Sequence, residues 1–195
     1  MTMDCDINAL IRRSSVCRKF NKREIPEDIL KDILDAGIWG LSVLGLQPWR
    51  FVCVKNKKVI DQIADITSKR ADDFASIATR IMSISATAIK TSSALIAIFN
   101  NGILQKRASK YGDIYVQRAY MAELQSIGGA IQNMFLTANI HGLAALWLDA
   151  PTFCEDDINK LLRTNEPLIA FLALGYPAMS HSRRSKRSGS IKYIN

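Results

Sequence analysis

Four short apolar runs constrain this chain more than any other feature. They are Phe51-Val52-Cys53-Val54, Ala94-Leu95-Ile96-Ala97-Ile98-Phe99, residues 143–148 and residues 168–174. None alternates strictly between apolar and polar residues, so each reads as a strand buried on both faces. Amphipathic or apolar helical patterns separate them. Asp6 is a plausible N-cap for a helix over 7–13. Pro26 opens a second helix as its first residue, with Glu27 and Asp28 in the first turn and Ile29, Leu30, Ile33, Leu34, Gly37 and Ile38 on one stripe. Residues 57–69 form a third, with Val59, Ile60, Ile63 and Ile66 inward. Residues 71–90 are helix-like but weakly patterned. Residues 103–120 are polar and read as a mobile connection or a lid. The longest helix runs over 123–141, apolar on most sides, with Gly142 as its stop. A short helix over 151–162 follows. The resulting order, α-α-β-α-α-β-α-β-α-β, defines an α+β or three-layer α/β protein. Ile191-Lys192-Tyr193-Ile194 is a candidate edge strand.

Between the second helix and the first strand lies Trp39-Gly40-Leu41-Ser42-Val43-Leu44-Gly45-Leu46-Gln47-Pro48-Trp49. Two tryptophans in an irregular stretch imply either a buried elbow or one wall of a site for something large and flat. Gly128-Gly129 inside the longest helix costs about 1 kcal/mol per residue relative to alanine. The pair implies close approach of another backbone, from a partner subunit or from within the chain.

Net charge bears on the ligand. The chain has 26 Lys+Arg against 18 Asp+Glu, a surplus of +8 that favours an anionic partner. The positive residues cluster at Arg12, Arg13, Arg18 and Lys19, with Ser14 and Ser15 among them, and again at Arg183, Arg184, Lys186 and Arg187. Arginine forks and serine hydroxyls suit phosphate oxygens. A solvated basic loop is the plain alternative. Few aromatic residues accompany the tail's charges, so stacking on nucleic-acid bases is unsupported.

Other chemistries are excluded by pattern. There is no G-x-G-x-x-G after a strand, no P-loop, no G-x-S-x-G and no H-E-x-x-H. The four cysteines form no C-x-x-C pair and there are two histidines, which argues against a metal site. Neither His141, expected at a helix C-terminus, nor His181 in the tail sits near an obvious nucleophile. No apolar run approaches the roughly 20 residues that span a bilayer, and no signal-peptide pattern is present, so the expectation is a cytoplasmic protein without membrane contact. Two basic clusters, an aromatic loop and no catalytic side chain together suit a cofactor that carries its own chemistry, as a flavin does.

Five motifs, in order, extend this reading. They are Arg12-Arg13-Ser14 with Arg18 and Phe20; Ser42 with Gln47-Pro48-Trp49-Arg50-Phe51; Ser126-Ile127-Gly128-Gly129-Ala130 with Asn133 and Ala138; Gly142-Leu143 with Trp147; and Leu174-Gly175-Tyr176-Pro177 followed by Lys186-Arg187. With this spacing the chain resembles the nitroreductase family of FMN-dependent oxidoreductases over nearly its whole length.

The resemblance implies one domain over 1–195 with a basic tail at 180–195, of the three-layer α/β/α type with a central, mostly antiparallel sheet. It implies a homodimer with FMN at the interface. Arg12, Arg13, Ser14, Lys186 and Arg187 would bind its phosphate and ribityl chain, and Arg18 the pyrimidine edge. Ser42 would reach FMN from the other subunit, and a backbone N–H of Asp149 or Ala150 would face the flavin N5. The tryptophans would be structural, with Trp49 anchoring the strand after it. The flavin carries the chemistry, so no catalytic side chain and no metal is implied. The implied reaction is ping-pong hydride transfer from NADH or NADPH through FMN to a nitroaromatic, quinone or similar small acceptor. A flavin-binding relative without reductase turnover is the alternative. The family pattern is departed from at Leu41, Gly45 and Asp149, where proline, asparagine and glycine are usual. Matching Arg12-Arg13-Ser14 also requires a two-residue insertion before Arg18.

Overall fold

The computed structural model describes residues 6–14, 16–21, 23–74, 77–178 and 191–194. Among them a four-stranded antiparallel sheet lies between two helical layers. The strands are β1 (Trp49–Val54), β2 (Ala94–Asn100), β3 (Ala144–Leu148) and β4 (Leu168–Gly175), in the order β1-β2-β4-β3. The helices are α1 (Ile7–Arg13), α2 (Glu27–Ile38), α3 (Lys57–Ala71), α4 (Ile77–Thr91), α5 (Ile103–Ala108), α6 (Asp113–Ile140) and α7 (Glu155–Leu162).

Successive residues of a strand point to opposite faces, and here both faces are core. Leu95, Ala97, Phe99, Phe171 and Ala173 join Ile60 and Ile63 of α3, Met82 and Ile89 of α4 and Ile158 of α7. Ile96, Ile98, Ala170 and Leu172 join Leu30 and Ile33 of α2 and Ile127, Ile131 and Met134 of α6. This is why the runs carry no alternation: β2 is buried from Ala94 to Asn100 without a break. The fold is therefore the expected three-layer α/β/α arrangement around an antiparallel sheet.

Local signals explain most boundaries. The Asp6 carboxylate caps α1 by accepting the N–H groups of Asn8 and Ala9 at 2.9 and 3.2 Å. Pro26 is the N-cap of α2, one residue outside the helix rather than its first residue. Gly142, with φ of 72°, follows the last turn of α6 as expected. His141 caps that helix and lies 3.3 Å from Asp32.

Three expectations are corrected. Residues 103–120 are ordered helix: α5, a 3-10 turn over Ser109–Tyr111 and the first turns of α6, which is 28 residues long and starts ten residues early. The cause is Glu123, fully buried on α6. Its carboxylate accepts the N–H of Leu104 (2.6 Å) and of Gln105 (3.3 Å) at the start of α5. It also accepts the side-chain amides of Gln105 (2.8 Å) and Asn100 (2.9 Å). Residues 191–194 form no strand. The third correction concerns the glycine pair. A Cβ on Gly128 would meet only Trp147 at 3.6 Å, and one on Gly129 only the Leu41 carbonyl at 3.9 Å, so close packing within the chain does not explain them. The close approach is at Gly40, where a Cβ would lie 2.9 Å from the Ala130 Cα.

Candidate functional site

The first basic cluster is docked on the sheet. Val16 bridges Ala145 in parallel, and the Cys17 N–H reaches the Ala145 carbonyl at 3.4 Å, so this segment meets the edge of β3 near its start. Cys17 and Phe20 are buried in the core, and Phe20 bridges Pro177. Two buried anchors turn the residues between them outward: Arg18 and Lys19 are exposed. Arg12 is exposed at the end of α1, and neither Arg12 nor Arg18 is in an ion pair among the described residues. Ser14 caps α1 and its hydroxyl donates to the Ile11 carbonyl at 2.9 Å. Arg13 ends α1; its side chain lies outside the described residues, as do Lys186, Arg187 and His181.

The strand that carries this cluster leads to the next two residues. Asp149 is exposed directly after β3, and Ala150 starts a 3-10 turn, Ala150–Cys154. The Ala150 N–H, at the first position of the turn, has no carbonyl within the turn to reach, and Pro151 after it has no N–H. One backbone donor at the end of β3 is thus left without a carbonyl partner among the described residues, on a residue whose side chain is buried.

The aromatic loop forms another wall. Ser42 is half-buried, and its hydroxyl oxygen accepts the Gln47 N–H at 3.2 Å, which leaves its proton without an acceptor among the described residues. The Ser126 hydroxyl on α6 accepts the Val43 N–H at 3.0 Å. The Asn101 amide donates to the Gln47 carbonyl at 3.2 Å. Leu44 and Gln47 have φ of 50° and 47°, a conformation that non-glycine residues adopt at a cost of about 1–3 kcal/mol when surroundings enforce it. Trp49 is buried as expected and stacks on Phe51. Trp39 is not structural core: it is 79% exposed, beside Leu41 at 91% and Leu44 at 80%. Trp147 is also partly exposed, with its ring edge at Gly128. Loop, glycine pair and Trp147 make one uncovered apolar surface across the middle of α6.

Sequence reasoning gave no structural role to three residues that shape this region. Glu123 gave no signal and Ser126 stood only as part of a motif, because their partners lie 18 to 83 residues away. Gly40 was visible only as part of a loop.

Exposed guanidinium groups and a strand-end N–H beside a flat apolar surface fit a ligand that is planar at one end and anionic at the other. The comparisons give the family and the fold. The chain matches the nitroreductase family over residues 10–176, and it belongs to that family. It is 25% identical over 183 residues to a Methanothermobacter thermautotrophicus protein provisionally described as an NADH dehydrogenase/NAD(P)H nitroreductase, spanning 92% of this chain and 81% of the relative. The fold is similar to a Bacteroides fragilis nitroreductase with bound FMN (TM-score 0.79, 19% identity, 98% of this chain and 100% of the other). It is also similar to a BluB-like flavoprotein from Clostridium difficile (TM-score 0.78, 20% identity, 98% and 100%). No helix among the described residues is long and apolar enough to cross a membrane.

Proposed function

We propose that the protein is an FMN-dependent oxidoreductase acting as a homodimer, with a flavin site at each end of the interface. One observation supports the reading most: the bridges of Val16 to Ala145 and of Phe20 to Pro177 hold Arg18, which has no carboxylate partner among the described residues, exposed beside the strand β3 that leads on to Ala150. Bound FMN supplies the redox chemistry, taking a hydride from NADH or NADPH and passing electrons to a small acceptor in a second half-reaction.

The chain's own residues bind and orient. Arg12, Arg13 and Ser14, joined by Lys186 and Arg187 of the basic tail, neutralise the phosphate, where arginine forks add bidentate hydrogen bonds to charge. Arg18 faces the pyrimidine edge, and positive charge there favours electron density arriving on the ring. The Ala150 N–H, or that of Asp149, donates to N5 and fixes the ring's position. Ser42 donates its free hydroxyl proton to FMN held mainly by the other subunit. The exposed Trp39, Leu41 and Leu44 pack on the second copy, and Gly128-Gly129 admits its backbone closely. Burial of these side chains removes the penalty of leaving them in water. The free thiols of Cys17, Cys53 and Cys154 suit a reducing, cytoplasmic setting.

Reconstitution tests the reading. Purified protein mixed with FMN should retain it through desalting and absorb near 450 nm, an order-of-magnitude position set by the cofactor. The Arg12→Ala, Arg18→Ala double variant should fold normally and lose FMN. Equal retention by variant and parent would contradict the assignment of these arginines.

A further inference from the structure

The 3-10 turn Ala150–Cys154 joins the two faces of the sheet. It begins at the end of β3 with the backbone donor assigned to the flavin, and it packs on α3, which covers the face away from α2 and α6. Ala150, Pro151 and Cys154 are buried, which seats the turn in the core. Apolar packing is non-directional, so it sets the depth of the turn more firmly than its rotation. Phe153 does not fix that rotation by burial: it is 58% exposed, and its ring meets Phe74 edge-on with centroids 5.0 Å apart. A cavity of about 430 Å³ lined by Ile66, Phe153 and Cys154 leaves that side of the turn without close packing.

The directional contact comes from Arg70, in the last turn of α3. Its Nε donates to the Phe153 carbonyl at 3.2 Å, and its Nη1 donates to Asp73 at 2.9 Å. The Asp73 contact is an i,i+3 pair with side chains 49% and 58% exposed, and such a pair adds little to stability. Its effect is to hold a planar fork in one orientation, with Nε aimed at the turn. From Phe153 to Ala150 is one turn of 3-10 helix, about 6 Å along its axis, and residues three apart eclipse each other there. Pro151 lies between them with φ fixed by its ring and takes up little slack. A displacement of the Phe153 carbonyl therefore reaches the Ala150 N–H. Asp149 is tied to the same turn, because its carbonyl accepts the Thr152 N–H at 2.9 Å.

We propose that Arg70 is a positioning residue for the flavin: by holding the Phe153 carbonyl it fixes the turn whose first N–H meets N5. Arg70 acts through the turn and touches no cofactor. The proposal rests on the assignment of the Ala150 N–H, or that of Asp149, to N5.

The experiment titrates the apoprotein with FMN and with 5-deaza-FMN, in which a C–H replaces the N5 acceptor, and follows amide hydrogen exchange of the apoprotein. Wild type should bind FMN about tenfold more tightly than the analogue, because only FMN accepts the N–H. Arg70→Met keeps an apolar stem and removes the donor. It should lower that ratio by about threefold or more, chiefly by weakening FMN, and raise exchange over 149–154 ahead of the rest of the chain. Lys69→Met removes the same charge one residue away and should leave ratio and exchange as in wild type. A ratio that survives Arg70→Met, exchange over 149–154 that does not rise, or equal losses in Lys69→Met would overturn the positioning role and leave the N5 assignment standing. Wild type that binds both ligands equally would overturn the N5 assignment, and the proposal with it.

Discussion

The carboxylate of Glu123 accepts the Leu104 N–H at 2.6 Å, nineteen residues upstream, and is fully buried while doing so. It satisfies two of the N–H groups that a helix leaves without intrahelical partners, and α5 leads directly through Ser109–Tyr111 into α6. A negative side chain is also favoured at the positive end of a helix dipole. The segment that composition marks as a lid is thus tied down at one residue.

Removing that residue should free the segment. Glu123→Ala leaves four donors without their acceptor, at about 1–3 kcal/mol for a buried unsatisfied group and not additively, so a loss of roughly 3–5 kcal/mol is expected. Glu123→Gln keeps one oxygen and should lose less. Chemical denaturation measures the loss. Hydrogen exchange should rise first over 103–112 in Glu123→Gln, and a uniform rise across the chain would refute the local role.

Gly40 and Gly129 should respond in opposite ways to alanine. At Gly40 the new Cβ would meet the Ala130 backbone at 2.9 Å, and overpacking of this kind costs about 1–3 kcal/mol. At Gly129 its nearest neighbour is 3.9 Å away, and helix propensity gains up to about 1 kcal/mol. Gly129→Ala should therefore leave the folded chain as stable or more so and weaken self-association. Thermal melts and sedimentation separate the two effects; a Gly129→Ala protein that stays as dimeric as its parent speaks against the partner's backbone lying there.

The same surface makes a second prediction about assembly. Leu41→Glu with Leu44→Glu places two charges where 91% and 80% exposed leucines now stand. Neither side chain supports the core, so folding should be unaffected, and the protein should sediment as a monomer that binds FMN poorly. An unchanged sedimentation coefficient would remove this face from the interface.

Burial pushes the Cys154 thiol up from its ordinary range; the Arg70 guanidinium opposes the shift and Asp157 and Asp73 add to it. Less thiolate is then present at a given pH, and thiolate is the nucleophile. Iodoacetamide at pH 8 should modify Cys154 more slowly than a free cysteine, with the lag closing as pH rises or when denaturant is added. Peptide-level mass spectrometry reads this directly. Modification at the free-cysteine rate would contradict both the burial and the direction of the shift.

The order of elements was legible because each strand is a continuous apolar run and each main helix has a cap or a stripe: Asp6, Glu27 with Asp28, and Gly142 mark boundaries by local chemistry. Residues 103–120 were not legible. Ile114, Tyr115 and Met121 are exposed, so the start of α6 carries no inward stripe, and its order depends on Glu123 reaching back to Leu104. The basic cluster could be read as charge, but its place on β3 depends on Val16, Cys17 and Phe20 meeting residues far along the chain. Trp39 misled for a related reason: an apolar side chain in a loop signals burial, and nothing among the described residues covers it.

The account turns on whether bound flavin exchanges electrons with a nicotinamide. FMN-loaded protein should be mixed anaerobically with NADH and, separately, with NADPH while absorbance near 450 nm is followed, a position set by the cofactor. Loss of that band with at least one nucleotide, and its return when a nitroaromatic or quinone is added, is the predicted result. A band that persists with both nucleotides, in protein that holds FMN, would contradict the oxidoreductase reading and leave a flavin-binding protein without turnover.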